Sequence, residues 1–141
     1  MNESKEQYRQ LVLKLGAERI DAIDREESSE GEYQQDNGAL SFGAMSLDRQ
    51  AALLYAIARI LPTRNARPNY RTACSYGLKH LLERYLGFYV SNLQAKTAFH
   101  ILGYERSRHD LNPFYNIAKR DYDRLRLAAD IAERKRRAYP L

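Results

Sequence analysis

Four polar side chains in one ten-residue stretch have the chemistry to read a nucleic-acid base. In LQAKTAFHIL (93–102), Gln94, Lys96, Thr97 and His100 alternate with the small and apolar residues Ala95, Ala98, Phe99 and Leu102. A glutamine amide can make a two-pronged bond to adenine. A lysine ammonium reaches guanine or a phosphate, and a threonine methyl group packs on thymine. On a helix, Ala95, Ala98, Phe99 and Leu102 would share the inner face, leaving the four polar residues to face outward.

A second set of residues suits phosphate rather than bases. TRNARPNYRTAC (63–74) carries Arg64, Arg67 and Arg71 around Tyr70, and a loop of this kind can hold phosphates and stack a base. The same positive chemistry continues at Lys79, at Arg106 and Arg108 next to Tyr104, at Lys119 and Arg120, and in the run Arg134, Lys135, Arg136 and Arg137. That run is blind to sequence as a phosphate contact, and cations at a helix C-terminus also complement the helix dipole.

Catalytic chemistry is not expected. The three histidines, His80, His100 and His109, are dispersed; His80 and Glu83 lie one helical turn apart, with His100 placed to face them across the intervening corner. They do not complete a metal set. Cys74 precedes a helix start without an evident base beside it. No glycine-rich phosphate loop occurs. The chain is read as a non-enzyme without metal or cofactor.

Charge is divided unevenly. Residues 1–61 have a net charge of −4 and residues 62–141 a net charge of +9. Such a split points to an anionic partner for the second half, or to contact between the two halves. With 141 residues, 44% of them apolar, the chain has enough material for one domain with a core. The single cysteine excludes an intrachain disulfide. No apolar run reaches membrane length, and MNESKEQYRQ lacks a signal-peptide core, so a cytoplasmic protein is expected.

The elements that position these residues are helical. Tyr8, Leu11, Val12 and Leu15 give 3–15 an apolar stripe, and Gly16 ends it. AERIDAIDREE (17–27) is acidic and expected at the surface. Residues 28–45 lack periodicity and are expected to be a flexible loop. The most apolar helix is 46–61, capped by Ser46 and stopped by Pro62. Residues 75–86 form a helix with Leu78, Leu81, Leu82, Tyr85 and Leu86 inward and Lys79, Glu83 and Arg84 outward; Gly87 ends it, and Ser91 or Asn92 caps the next. A last helix covers about 117–137, with Tyr122, Leu125, Ala129 and Ala132 inward and Leu127 and Ala128 as further candidates. The expectation is one all-α domain over 1–141, a bundle of about five or six helices. It has an acidic helical part at 1–27, a basic helical part at 46–141, and a helix-corner-helix unit near 75–103 that is similar to a helix-turn-helix.

SYGLKHLLERYLGFYVSN, QAKTAFHILGY and NPFYNI, from Ser75 to Ile117, resemble a small group of phage and mobile-element proteins. That resemblance covers about a third of the chain and implies mobile-element biology without specifying an activity. Two functions are therefore expected. One is an accessory or regulatory protein that binds nucleic acid, DNA in the first instance, with a homodimer as the usual form of a helix-turn-helix reader. The other is an anti-CRISPR-like inhibitor of a host nucleic-acid-binding nuclease, in which Glu26, Glu27, Glu30 and Glu32 imitate nucleic acid and tyrosine and arginine supply contact energy.

Overall fold

The computed structural model describes residues 4–138; the remaining terminal residues of the expected 1–141 domain lie outside it. Helix α1 (Lys5–Leu15) starts at a capping box, in which the Ser4 amide donates to Gln7 Oε1 at 3.2 Å. Gly16, at φ 82°, separates it from α2 (Ala17–Glu27). A left-handed φ there favours glycine. After a single turn, α3 (Glu32–Gln35), and a 3-10 turn at Phe42–Ala44, the chain enters α4 (Leu47–Ile60). The Ser46 hydroxyl accepts from the Arg49 amide at 3.3 Å, which caps α4. Helices α5 (Ser75–Leu86) and α6 (Asn92–Ile101) follow, and α7 (Lys119–Ala138) is the longest. The all-α bundle is as expected, with the one-turn α3 added.

Helix α4 is central: α1 packs on one side, and α5, α6 and α7 on others. Leu53, Leu54 and Ile57 of α4 are fully buried, as are Leu78 and Leu82 of α5, Phe99 of α6 and Leu125 of α7. Phe99 stacks on Tyr115 at 4.5 Å between ring centroids and meets Tyr104 edge-on at 5.2 Å. Each fully buried aromatic or aliphatic side chain of this kind contributes about 1.5–3 kcal/mol over leaving it in water.

Two long connections bind each other instead of wandering over the surface. The Asn65 amide donates to the Asn116 carbonyl at 2.8 Å, and the Asn69 amide to the Tyr115 carbonyl at 2.9 Å. The Thr63 amide donates to buried Asp121 of α7 at 2.7 Å. The 63–71 loop is thereby fixed beside the start of α7.

Three expectations are corrected. The acidic α2 is not a surface helix: Ile20, Ile23, Asp24 and Glu27 form a buried stripe at helical spacing. The 28–45 segment is not a free loop either. Phe42 is fully buried, and both carboxylate oxygens of Asp24 hold it, accepting from the Phe42 and Gly43 amides at 3.0 and 2.9 Å. The Gln50 amide donates to the Phe42 carbonyl at 2.9 Å. On α7, Leu127 lies 61% exposed and takes no part in the core.

Phe42→Ala is expected to lower unfolding free energy by about 3–5 kcal/mol in urea denaturation, as for other large-to-small core changes. A change within about 0.5 kcal/mol, the usual size for a surface site, would return 28–45 to the status of a loop.

Candidate nucleic-acid interface

The helix-corner-helix has the local chemistry expected of it. Gly87 closes α5 at φ 82°, its amide donating to the Glu83 carbonyl at 2.8 Å. Ser91 and Gln94 make a reciprocal capping box at the start of α6. A reading helix must also project from the domain to enter a groove. Helix α6 does not: it packs against α2, α4, α5 and the Phe42 turn.

The outward orientation expected of the α6 polar residues is therefore corrected residue by residue. Lys96, 1% exposed, pairs with the Glu32 carboxylate. Thr97, 0% exposed, donates from its hydroxyl to Asp24 Oδ1 at 2.7 Å. Gln94 is buried, its side-chain amide donating to the Ser41 carbonyl at 3.2 Å. His100 is half-buried, with Nδ1 at 2.9 Å from Glu27 Oε2; it meets α2 and not the His80–Glu83 pair expected across the corner. The physical reason is shared: an uncovered polar group in the core costs free energy, and the acidic half supplies each cation or donor with a partner. Burial pushes the Asp24 carboxyl above its usual range, against hydrogen bonds from Thr97, Gly43 and Phe42 that pull it down.

Lys79 is likewise buried and not outward. Its ammonium is 2.8 Å from Glu83 and sits over the rings of Tyr89 and Tyr76. The acidic strip expected to imitate nucleic acid is also broken up, since Glu27 and Glu32 turn inward while Glu26 and Glu30 stay exposed.

A different set of cations lies outside. Arg67 and Arg71 are exposed and make no ion pair with any described residue. Arg64 lies over the Tyr104 ring at 4.5 Å and bonds to the Leu102 carbonyl. Tyr70 is 69% exposed and rests on Phe114, with ring centroids 4.9 Å apart. Buried Asp121 gathers Arg120 at 3.7 Å and Arg124 at 3.2 Å next to Thr63, so the start of α7 adjoins the arginine loop. Lys119 pairs with Asp123.

The remaining residues expected to bind are scattered. Arg106 is half-buried against Glu27, and Tyr104 is buried. Arg108 is exposed on the 103–118 connection without an ion pair to a described residue. Arg134 and Lys135 are exposed at the far end of α7, and Arg137 lies 3.6 Å from Glu133. Arg136 is occupied within the fold, donating to the Arg84 and Tyr85 carbonyls at the C-terminus of α5.

Sequence reasoning missed Asp24, Phe114 and Arg124, and the inward direction of Glu27. For the two acids a signal existed: positions 20, 23, 24 and 27 share one helical face. No group of three metal-binding side chains comes together among the described residues, and no described helix is long and apolar enough to cross a membrane. No family model, curated protein or solved structure matches the chain.

Lys96→Ala is expected to destabilise the fold by about 3 kcal/mol, because it removes the only cation paired with the Glu32 carboxylate among the described residues and leaves it the Ser29 amide and the Asn92 side chain. Lys96→Met with Glu32→Gln should recover most of that loss in the same urea titration. Equal losses in the single and double variants would mean that the pair is not the source of the effect.

Proposed function

We propose that this protein binds nucleic acid, most simply DNA, along the sugar–phosphate backbone, as an accessory or regulatory protein of a phage or mobile element. One observation carries the reading. The 63–71 loop carries Arg64, Arg67 and Arg71, with Tyr70 resting on Phe114, and Thr63 at its start bonds to Asp121 of α7, which pairs with Arg120 and Arg124. Arginines position phosphates, and an exposed ring gives a base something to stack on. Such binding is tolerant of sequence and needs no groove-entering helix. The mobile-element setting is supported by the resemblance of residues 75–117 alone.

A second reading, a non-catalytic inhibitor of a host nuclease, is favoured by another observation. Leu127 and Ile131 are exposed one turn apart on the outer face of α7, in the manner of an interface anchor. A stoichiometric complex with a nuclease that is lost with Leu127→Glu would support it. A homodimer through the same face would instead appear as a doubled mass in sedimentation.

Fluorescence anisotropy of labelled single-stranded and duplex DNA across a salt series tests the first reading. Binding should weaken steeply with salt. Arg67→Glu with Arg71→Glu should lower affinity at least about tenfold and flatten the logarithmic salt slope by roughly 1–2, as expected for two lost phosphate contacts. Gln94→Ala should leave sequence preference unchanged. Absence of binding at low salt, or loss of base preference with Gln94→Ala, would contradict the reading.

A further inference from the structure

Beside the basic face lies a cavity of about 280 Å³, lined by Glu26, Glu27, His100, Gly103, Tyr104, Arg106 and Tyr115. Its chemistry is lopsided. Its buried carboxylate, that of Glu27, is already engaged by Arg106 Nε at 3.1 Å and by His100 Nδ1 at 2.9 Å. Those two bonds fix both side chains while using only one nitrogen of each. The Nη groups of Arg106 and the Nε2 edge of His100 have no partner among the described residues.

The fourth component is Tyr115. Its side chain is 1% exposed, held by the stack on Phe99, yet its hydroxyl has no hydrogen-bond partner among the described residues. Burial, with Glu27 and Glu32 nearby, pushes this phenol well above its ordinary pKa, while Arg106 pulls the other way. It therefore stays a neutral O–H donor. Buried hydroxyls are normally satisfied, so an unpaired one on a residue that lines a polar cavity is informative. At the rim, the Arg64 guanidinium lies against Gly103, 3.4 Å from where a β-carbon would stand. Glu26 is the opposing charge, exposed on the other side.

Unused nitrogens on Arg106 and His100, beside a Glu27 carboxylate that both already engage, match a tetrahedral oxyanion. We propose that this cavity is a phosphate-monoester site formed by Arg106, Tyr115 and His100, and that it takes the terminal phosphate of a strand lying on the adjoining basic face. Arg64 of the basic loop lies against Gly103 and over Tyr104, two residues that line the cavity. The strand-end assignment rests on the nucleic-acid reading; the phosphate site does not.

One oligonucleotide in three forms, with a 5′-phosphate, with a 3′-phosphate and with neither, is compared by anisotropy at fixed salt. In parallel, inorganic phosphate and a nucleoside monophosphate are titrated while the His100 ring resonances are followed. One phosphorylated form should bind about tenfold tighter than the unmodified strand, within the range for a charge-assisted bond. Tyr115→Phe should remove about a fivefold share of that preference, one ordinary hydrogen bond, while melting no earlier than the parent because it deletes an unpaired hydroxyl. Arg106→Gln should remove the remainder; retention of Tyr115→Phe stability keeps the test valid if the Arg106 variant folds poorly. Equal binding of all three strands with no response to either small phosphate overturns the site and leaves the basic face standing. A response to the small phosphates without binding of any strand overturns the strand reading and keeps the site. Equal strands with a small-phosphate response overturn the strand-end assignment alone. A terminal-phosphate preference unchanged in Tyr115→Phe places that phosphate elsewhere and overturns the proposal.

Discussion

Asp24, Glu27 and Glu32 are three carboxylates from the acidic half of the chain, and each faces inward toward α6. Taking a carboxylate out of water costs several kcal/mol unless charge and hydrogen bonds replace the lost hydration. Here Thr97 and two backbone amides answer Asp24, His100 and Arg106 answer Glu27, and Lys96 answers Glu32. The partners on α6 stand at 96, 97 and 100, one helical face, so a single orientation of α6 satisfies all three acids. That constraint sets the rest of the bundle. It pins the Phe42 segment, closes α2 over α6, and sends the polar face of α6 into the core.

The consequence for function is a separation of charge by depth. Asp24 and Glu27 of α2 and Glu32 of α3 are matched inside, while Arg67, Arg71, Arg120 and Arg124 are left outside. Arg67 and Arg71 lie on the loop that clasps the second long connection, and Arg120 and Arg124 pair with buried Asp121, which holds the start of that loop. Phosphate contact depends on such clustered charge and tolerates many geometries, whereas base reading demands a projecting helix. The positions of these residues favour the former.

Helix boundaries are legible in the sequence because local chemistry sets them. Gly87, Ser91, Ser46 and Pro62 all mark ends where the structure places them, and the apolar stripes of 47–60 and 75–86 identify their inner faces. The direction of the polar side of α6 is not legible. Its period puts Ala95, Ala98 and Phe99 inward and so reads Lys96 and Thr97 as outward, but whether a lysine faces water depends on a carboxylate 64 residues away in the chain. Periodicity reports one element's face and is silent about a partner from elsewhere. The same blindness applies to α2, whose acids read as solvent-facing, and to 28–45, where one phenylalanine and a set of backbone bonds replace periodic structure. Tyr115 shows the limit for the site: an unpaired buried hydroxyl is a property of three dimensions alone.

Thiol accessibility decides whether α6 is an interior strut held by the acidic half or an exposed reading head. In a Cys74→Ser background, Thr97→Cys and, as an exposed control, Arg120→Cys are treated with a thiol reagent under native conditions, with urea added in small steps. For an interior strut, the thiol at 97 reacts only through unfolding, with a rate that rises with urea along the global transition, while the thiol at 120 reacts at once. Rapid, urea-independent labelling at 97, at the rate of the control, would contradict the buried placement and return α6 to the surface.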